Sequence, residues 1–245
     1  MGKDKKTAVI TGASRGIGRA IAETLAQNGY RLAMIARRRA ALDELSDRLG
    51  GYAIALPIPA DLTDLKNVET ACSSILENFG TVDLLVNNAG SIYFEPTVSM
   101  PVERFEETIR LNLTAPWLMA RLLIPAMIKA GGGTVVNIVS MSARDGFKNA
   151  AAYCASKAGL SGLTRALREE FKEKGIKFCE ILPGSTLTSE APEKYFKDNP
   201  EAEILLPEDV AHAVLTVALQ GAHSAIRTIE LTRPFNRKVT PLIRP

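Results

Sequence analysis

Residues that build covalent or metal frameworks are scarce in this 245-residue chain. It holds three cysteines, Cys72, Cys154 and Cys179, and two histidines, His212 and His223. An odd cysteine count at scattered positions argues against a disulfide framework. With no CxxC pair and no Cys/His cluster, a zinc site is not expected. Charge of one sign is also lacking: 30 Lys and Arg face 27 Asp and Glu, a formal net charge of +3. That is too mild to imply nucleic acid or a membrane surface as a partner. No run of eighteen apolar residues suggests a membrane span. The charged start, Met1 to Lys6, lacks the apolar stretch of a signal peptide, so a cytoplasmic protein is expected. No repeat or linker divides the chain, and its length and 46% hydrophobic content suit one self-sufficient α/β domain over 1–245.

What the chain does have is alternation. Short apolar runs, rich in β-branched residues, stand at 7–11, 31–36, 53–58, 82–86, 134–140, 176–182 and 227–232. They read as strands, the first of them buried on both faces. Between them lie stretches with helical spacing at 19–28, 41–49, 64–79, 102–130, 153–174 and 207–220. Pro116 and Pro125 interrupt the fourth of these. Strand and helix in strict turn predict a doubly wound parallel sheet of about seven strands, a Rossmann fold.

The first strand runs into Thr11-Gly12-Ala13-Ser14-Arg15-Gly16-Ile17-Gly18 and then into a helix. Strand, glycine turn, helix is the context of a phosphate-binding turn. Glycine lets the backbone approach a pyrophosphate, and the helix start offers free N–H groups and a positive dipole end. A tight turn that needs glycine only for its backbone angles is the alternative. The second strand ends in Ala36-Arg37-Arg38-Arg39, where a site for NAD ordinarily has an acid to bind both ribose hydroxyls. The first acid comes only at Asp43. Arg37 and Arg38, with Arg15 of the turn, suit a 2′-phosphate instead. A solvated basic helix start is the bland reading, but cations there oppose the helix dipole. NADP(H) is therefore expected ahead of NAD(H).

Farther on, Tyr153 and Lys157 are four residues apart, one helical turn. A phenol has a pKa near 10, too high for efficient acid–base work at neutral pH, and a fixed ammonium one turn away is expected to lower it.

The pattern Thr-Gly-x-x-x-Gly-x-Gly, the tetrapeptide Asn87-Asn88-Ala89-Gly90, Ser140 thirteen residues before Tyr153, the Tyr-x-x-x-Lys pair and the turn Pro183-Gly184 occur in that order. Together they resemble the short-chain dehydrogenase/reductase family, standard-length branch, over 7–232. The resemblance implies a catalytic set of Asn112, Ser140, Tyr153 and Lys157. Ser140 would polarise a substrate oxygen, Tyr153 would exchange its proton, Lys157 would tune Tyr153, and Asn112 would bend its helix and hold a water. It implies a nicotinamide dinucleotide on Gly12, Ser14, Arg15, Gly16, Ile17 and Gly18, on Arg37 and Arg38, on Asp61 and Leu62, and on Asn88, Ala89 and Gly90. Tyr153 and Lys157 complete that site with Pro183, Gly184, Thr186 and Thr188. Asp61 is equally an N-cap for the helix at 64–79. Thr186 replaces an aliphatic residue usual in the family.

The segment 185–206 corresponds to a substrate cap, with Tyr195 and Phe196 in it, and Ile92, Tyr93 and Phe94 are candidate pocket walls. The implied function is reversible reduction of a small-molecule ketone to a secondary alcohol. The rivals are reduction of a 3-oxoacyl thioester on an acyl carrier protein, docked at Lys129, Lys172 and Lys174, and an NADP-sensing protein without chemistry. A homotetramer or homodimer paired through the long helices is also implied. The basic, proline-containing tail at 233–245 receives no role.

Overall fold

A computed structural model describes residues 5–188 and 204–232. Most of the 185–206 segment, with Tyr195 and Phe196, and the tail at 233–245 lie outside the described residues. Seven parallel strands form one sheet in the order β3-β2-β1-β4-β5-β6-β7. They are β1 (Thr7–Thr11), β2 (Arg31–Ala36), β3 (Ala55–Pro59), β4 (Leu84–Asn87), β5 (Gly133–Ile138), β6 (Ile176–Pro183) and β7 (Thr228–Leu231). The helices are α1 (Gly16–Gln27), α2 (Arg39–Arg48), α3 (Leu65–Phe79), α4 (Val102–Ile109), α5 (Ala115–Lys129), α6 (Ala151–Phe171) and α7 (Pro207–Ala218).

Because a strand points successive side chains to opposite faces, each central strand feeds two cores. Ala8, Ile10, Leu32, Met34, Val86 and Val136 pack against α1, α2 and α7. Val9, Ala33, Ile35, Leu85 and Val135 pack against α3 and α5, with Leu167 and Phe171 of α6 closing that side. All of β1 is buried. This double burial is why the strands read as continuous apolar runs. All three cysteines are free thiols. Burial pushes Cys72 and Cys179 up to about 12, so they are inert core residues.

Strand order reverses between β1 and β4, which pair directly, Ala8 opposite Leu84 and Ile10 opposite Val86. The crevice beyond the carboxyl ends at such a reversal is where open α/β sheets bind ligands.

The long helical stretch is broken at Asn112, where the resemblance implies a bend, and not at the two prolines. Residues 102–129 form a single run, interrupted at neither proline but by a π-helical turn, Arg110–Thr114, in which Ala115 N–H reaches back to Arg110 O. Pro116 falls in the first turn of α5, where a missing N–H costs least, and Pro125 is accommodated inside it. By length and composition the run also contains a stretch of eighteen residues apolar enough to cross a membrane. The fold accounts for this composition: Leu118, Met119, Leu123, Ile124 and Met127 are buried in the core under α3.

Phe178 of β6 is the largest fully buried side chain of the described residues, with its ring 6.4 Å from that of Phe171. Phe178→Ala should therefore cost about 3–5 kcal/mol. Urea unfolding would show a lower midpoint at an unchanged slope; an unchanged midpoint would mean that this layer is not packed as described.

Candidate active site at the carboxyl edge of the sheet

The glycine turn and the Asn-Asn-Ala-Gly segment are one hydrogen-bonded unit. Thr11 Oγ1, at the end of β1, accepts the backbone N–H groups of Asn88 and Ala89, each at 2.9 Å. Asn88 Nδ2 donates to Thr11 O at 2.9 Å. Gly12 and Gly16 hold φ angles of +69° and +52°, a region that favours glycine. At Gly18 the constraint is contact: a Cβ there would lie 2.2 Å from Gly12 O and 2.6 Å from Asn88 Nδ2. Helix α1 consequently starts at Gly16, three residues earlier than the apolar spacing suggests. Its N-cap, Arg15, makes no side-chain cap and its first turn has no acid. Among the described residues the N–H groups of that turn thus have no side-chain cap, and an uncapped helix start suits a pyrophosphate. Ser14 and Ile17 are half-buried in the same turn.

Thr188 closes the turn from the opposite side, since a Cβ on Gly16 would lie 3.1 Å from Thr188 Cβ. Pro183 is the last residue of β6, and Gly184 N–H donates to Leu231 O at 2.8 Å. Thr186 turns its hydroxyl back on Gly184 O at 3.1 Å. Thr188 is thus brought to the dinucleotide turn, while the Thr186 side chain is used locally.

Arg15, Arg37 and Arg38 are exposed, and among the described residues none has an acidic partner. Their neighbour Arg39 is engaged by both oxygens of Asp43, at 2.9 and 3.0 Å, and by Tyr52 Oη at 3.0 Å. Those contacts hold the Asp43 carboxyl below its ordinary range, with the Tyr52 hydrogen bond first. Asp43, the first acid after β2, is therefore occupied by Arg39, and among the described residues the guanidinium groups of Arg15, Arg37 and Arg38 are left for an anion. Asp61 corrects one expectation. It is not the N-cap of α3; Asp64 is, accepting Lys66 N–H at 2.9 Å. Asp61 instead closes its own turn by accepting the N–H and hydroxyl of Thr63, at 3.0 and 2.8 Å. It stands beyond β3, next to the end of β2, where Ala60 N–H reaches Ala36 O at 3.0 Å. Leu62 is buried beneath it.

The acid–base end of the site is built around Gly90. A Cβ there would lie 3.2 Å from Asn112 Oδ1 and 3.6 Å from Lys157 Nζ. Asn112, fully buried, occupies the centre of the π-helical turn. Its Oδ1 accepts Ser91 N–H at 2.9 Å, and its Nδ2 donates to Ser91 O at 2.9 Å and Ser156 Oγ at 3.0 Å. Lys157 is buried at 4% exposure, with Nζ donating to Ile138 O at 2.8 Å. Desolvation of the ammonium pushes it down to about 8. Tyr153 lies beside Ser140 and Ser142, whose hydroxyls favour the phenolate, but burial is the larger effect and the phenol is raised.

This reverses the expectation for Tyr153 and Lys157. The ammonium stands 5.8 Å from the ring centroid and is turned to a backbone carbonyl. Burial therefore moves the two groups in opposite directions, and the ammonium becomes the stronger acid of the pair.

The fold thus brings Asn112, Ser140, Tyr153 and Lys157 to one end of the sheet. Three supporting residues escaped the sequence reading. Thr11 splices β1 to β4. Ser91 clamps Asn112. Ser156 is fully buried, accepting from Asn112 and donating to Tyr153 O at 2.7 Å. Its place three residues after Tyr153, on the face that carries Lys157, was the available signal. A buried ladder runs beneath them: Asn87 Nδ2 donates to Asn137 Oδ1 at 2.9 Å, and Asn137 Nδ2 to Thr164 Oγ1 at 2.7 Å.

Residues 6–199 match the short chain dehydrogenase family model. D-threitol dehydrogenase of Mycolicibacterium smegmatis is 31% identical over 230 residues, 89% of this chain and 88% of that protein. Glycine betaine reductase ATRR of Emericella nidulans is 35% identical over 233 residues, 91% of this chain, but the chain spans only 18% of that longer protein. Among solved structures, a metagenomic short-chain oxidoreductase in complex with NADP superposes with a TM-score of 0.81 at 33% identity, covering 92% of this chain and 96% of that one. The sheet order, the glycine cradle and these matches agree, and the chain belongs to the short-chain dehydrogenase family.

Proposed function

We propose that this oxidoreductase is an NADP(H)-dependent carbonyl reductase, converting a ketone reversibly to a secondary alcohol. The observation that carries the reading is the convergence of Asn112, Lys157 and Gly90 beside Tyr153, at the sheet end that also holds the uncapped glycine turn. NADPH, when bound, supplies the hydride. Its pyrophosphate would rest on the Gly12–Gly18 backbone, and its 2′-phosphate on Arg15, Arg37 and Arg38. The NADP in the metagenomic relative's structure supports that choice.

The chain's own residues handle the proton. Ser140 Oγ donates to the carbonyl oxygen and fixes its position, and Tyr153 Oη delivers the proton as charge develops there. The ordering of acid strengths then matters. Burial raises the phenol and brings Lys157 to about 8, so return of a proton from Nζ to the phenolate runs downhill. Asn112, fixed at both ends by Ser91, holds the relay between them.

The acyl-carrier rival loses support from geometry. Lys172 and Lys174 follow α6 at its far end, about 28 Å along the helix from Tyr153 at 1.5 Å per residue. Lys172 is paired with Glu169 at 2.7 Å, and Lys174 lies over the Phe171 ring. A purely sensing role has no need of a complete proton-handling set. A groove of about 490 Å³ between α5 and α6, lined by Trp117, Ile124, Pro125, Ile128, Leu167 and Phe171, supports pairing of copies through these helices as a dimer or tetramer. The reading is completed by a cytoplasmic setting.

Tyr153→Phe should lower turnover by about 10²–10⁴-fold and leave the NADPH dissociation constant nearly unchanged. Turnover at the wild-type rate would remove Tyr153 from the mechanism. The double change Arg37→Ala, Arg38→Ala should weaken NADPH by roughly 10²–10⁴-fold, and NADH by much less, because each charge-assisted bond contributes about 1.5–3 kcal/mol. Equal losses for both cofactors, read by fluorescence titration, would refute the phosphate role.

Lys157 also makes stability depend on pH. Its folded pKa of about 8 lies below the ordinary 10.5, so the unfolded chain binds the extra proton between those values. Its contribution is therefore fully present above pH 10.5 and lost as pH falls through 8. Urea midpoints of wild type relative to Lys157→Met should rise across that window, by ~3 kcal/mol in total, and run parallel below it. Parallel behaviour throughout would place Lys157 in solvent.

A further inference from the structure

One hydroxyl beside Tyr153 has no task in the resting enzyme. Ser142 lies in a 3-10 turn, Met141–Ala143, between β5 and α6, and is 3% exposed. Among the described residues its Oγ has no hydrogen-bond partner, and it is shut off from solvent. Buried hydroxyls are ordinarily bonded, and one left unpaired carries a cost that asks for a reason. The surroundings supply one: the hydroxyls brought to the Tyr153 phenol are those of Ser140 and Ser142.

The two serines are placed differently. Ser142 N–H donates to Ser140 Oγ at 3.1 Å, and Ala143 N–H donates to Ser140 O at 3.1 Å. Ser140 Oγ is thus engaged as an acceptor, which leaves its own proton for the substrate oxygen. Other donors nearby are turned away from the phenol oxygen. Lys157 Nζ, 5.8 Å from the ring centroid, donates to Ile138 O. Asn112 Nδ2 donates to Ser91 O and Ser156 Oγ, and Ser156 Oγ donates to Tyr153 O. Ser91 Oγ is also buried without a partner, but it is not among the groups that act on the phenol. The titratable groups that face Tyr153 are Lys157 and Cys154 of its own helix. Arg144, which follows the Ser142 turn, is paired with Glu230 of β7.

We propose that Ser142 is the hydrogen-bond donor to the Tyr153 phenolate: its Oγ–H, unpaired at rest, turns to Tyr153 Oη as that oxygen gives its proton to the substrate. No covalent bond to Ser142 is made or broken; its proton stays on Oγ and only its direction changes. A hydrogen bond that forms as charge develops, and is missing beforehand, lowers the barrier without tightening the ground state. The orphan hydroxyl of the resting enzyme is the counterpart of a bond made later in the reaction.

This role rests on Tyr153 as proton donor to a carbonyl, and three measurements keep the two separable. In urea unfolding, Ser142→Ala should keep the wild-type midpoint or exceed it, since a buried hydroxyl without a partner adds nothing to stability. The phenol is then titrated by ultraviolet difference absorbance after a rapid pH jump, each protein against its own Tyr153→Phe counterpart. Ser142→Ala should lower the acid constant of Tyr153 by about 10–150-fold, the effect of one hydrogen bond to a charged group. The third measurement is single-turnover reduction of butanone, cyclohexanone and acetophenone by the NADPH-loaded enzyme. Its rate should fall by about 3–12-fold, because the proton is only part transferred at the transition state, with half-saturation by ketone nearly unchanged. Ser142→Thr keeps the hydroxyl and should match the wild type in titration and rate.

Superimposed titration curves for wild type and Ser142→Ala, or equal single-turnover rates, would overturn the inference. So would a lower urea midpoint for Ser142→Ala, since the hydroxyl would then be bonded already at rest. A displaced titration in a protein that reduces no ketone would uphold the Ser142 contact and count against the reductase reading.

Discussion

The junction between the ends of β1 and β4 governs the rest of the molecule. Two strands far apart in sequence are adjacent in the sheet, and Thr11 and Asn88 bind their ends with a hydroxyl and an amide. The hydroxyl accepts two backbone N–H groups that would otherwise be orphaned as the strands diverge. The amide lies so close to Gly12 and Gly18 that no side chain fits at either glycine. The glycine cradle therefore follows from the brace. Chain direction after β1, the early start of α1 and the opening of the crevice all depend on this contact.

Burial does the electrostatic tuning on the other side of the crevice. A phenol and an ammonium each lose water, and each shifts toward its neutral form. The shift makes Tyr153 a weaker acid and Lys157 a stronger one, so the pair is graded rather than matched. Such grading suits delivery of a proton to a carbonyl followed by recharging of the donor. It needs dry surroundings, and Asn112, Ser156 and Ile138 O provide fixed polar partners without admitting bulk water.

Much of this was legible from residue order. Seven apolar runs became seven strands, and the central ones are continuous because both of their faces are buried. The Tyr153, Lys157, Ser140 and Asn112 constellation followed from a resemblance, and the fold gathered it. What sequence concealed was three-dimensional. The bend at Asn112 was implied by the resemblance, but its partner was not: Ser91, from another segment, binds both ends of the Asn112 amide within a π-helical turn, and neither proline breaks the helix. Asp61 and Asp64 are both plausible caps by spacing, and only the backbone turn assigns the cap to Asp64. The direction of the Tyr153 shift was also hidden, since a four-residue spacing says nothing of how deeply both groups are buried.

The same distinction separates reaction from substrate. The reacting groups sit on strand ends and helices whose positions the core over-determines, and their supports are buried. The loops after β4 and before α6, by contrast, carry large side chains that remain exposed. Loop residues can change without disturbing either core, so relatives sharing this scaffold take different substrates. The loop tie between Glu95 and Asn149 joins the two regimes. It fastens one loop to the other at the entrance to α6, beside the chain's own continuation into that helix and the clamp of Ser91 on Asn112. Selectivity can therefore drift while the proton-handling groups stay in place.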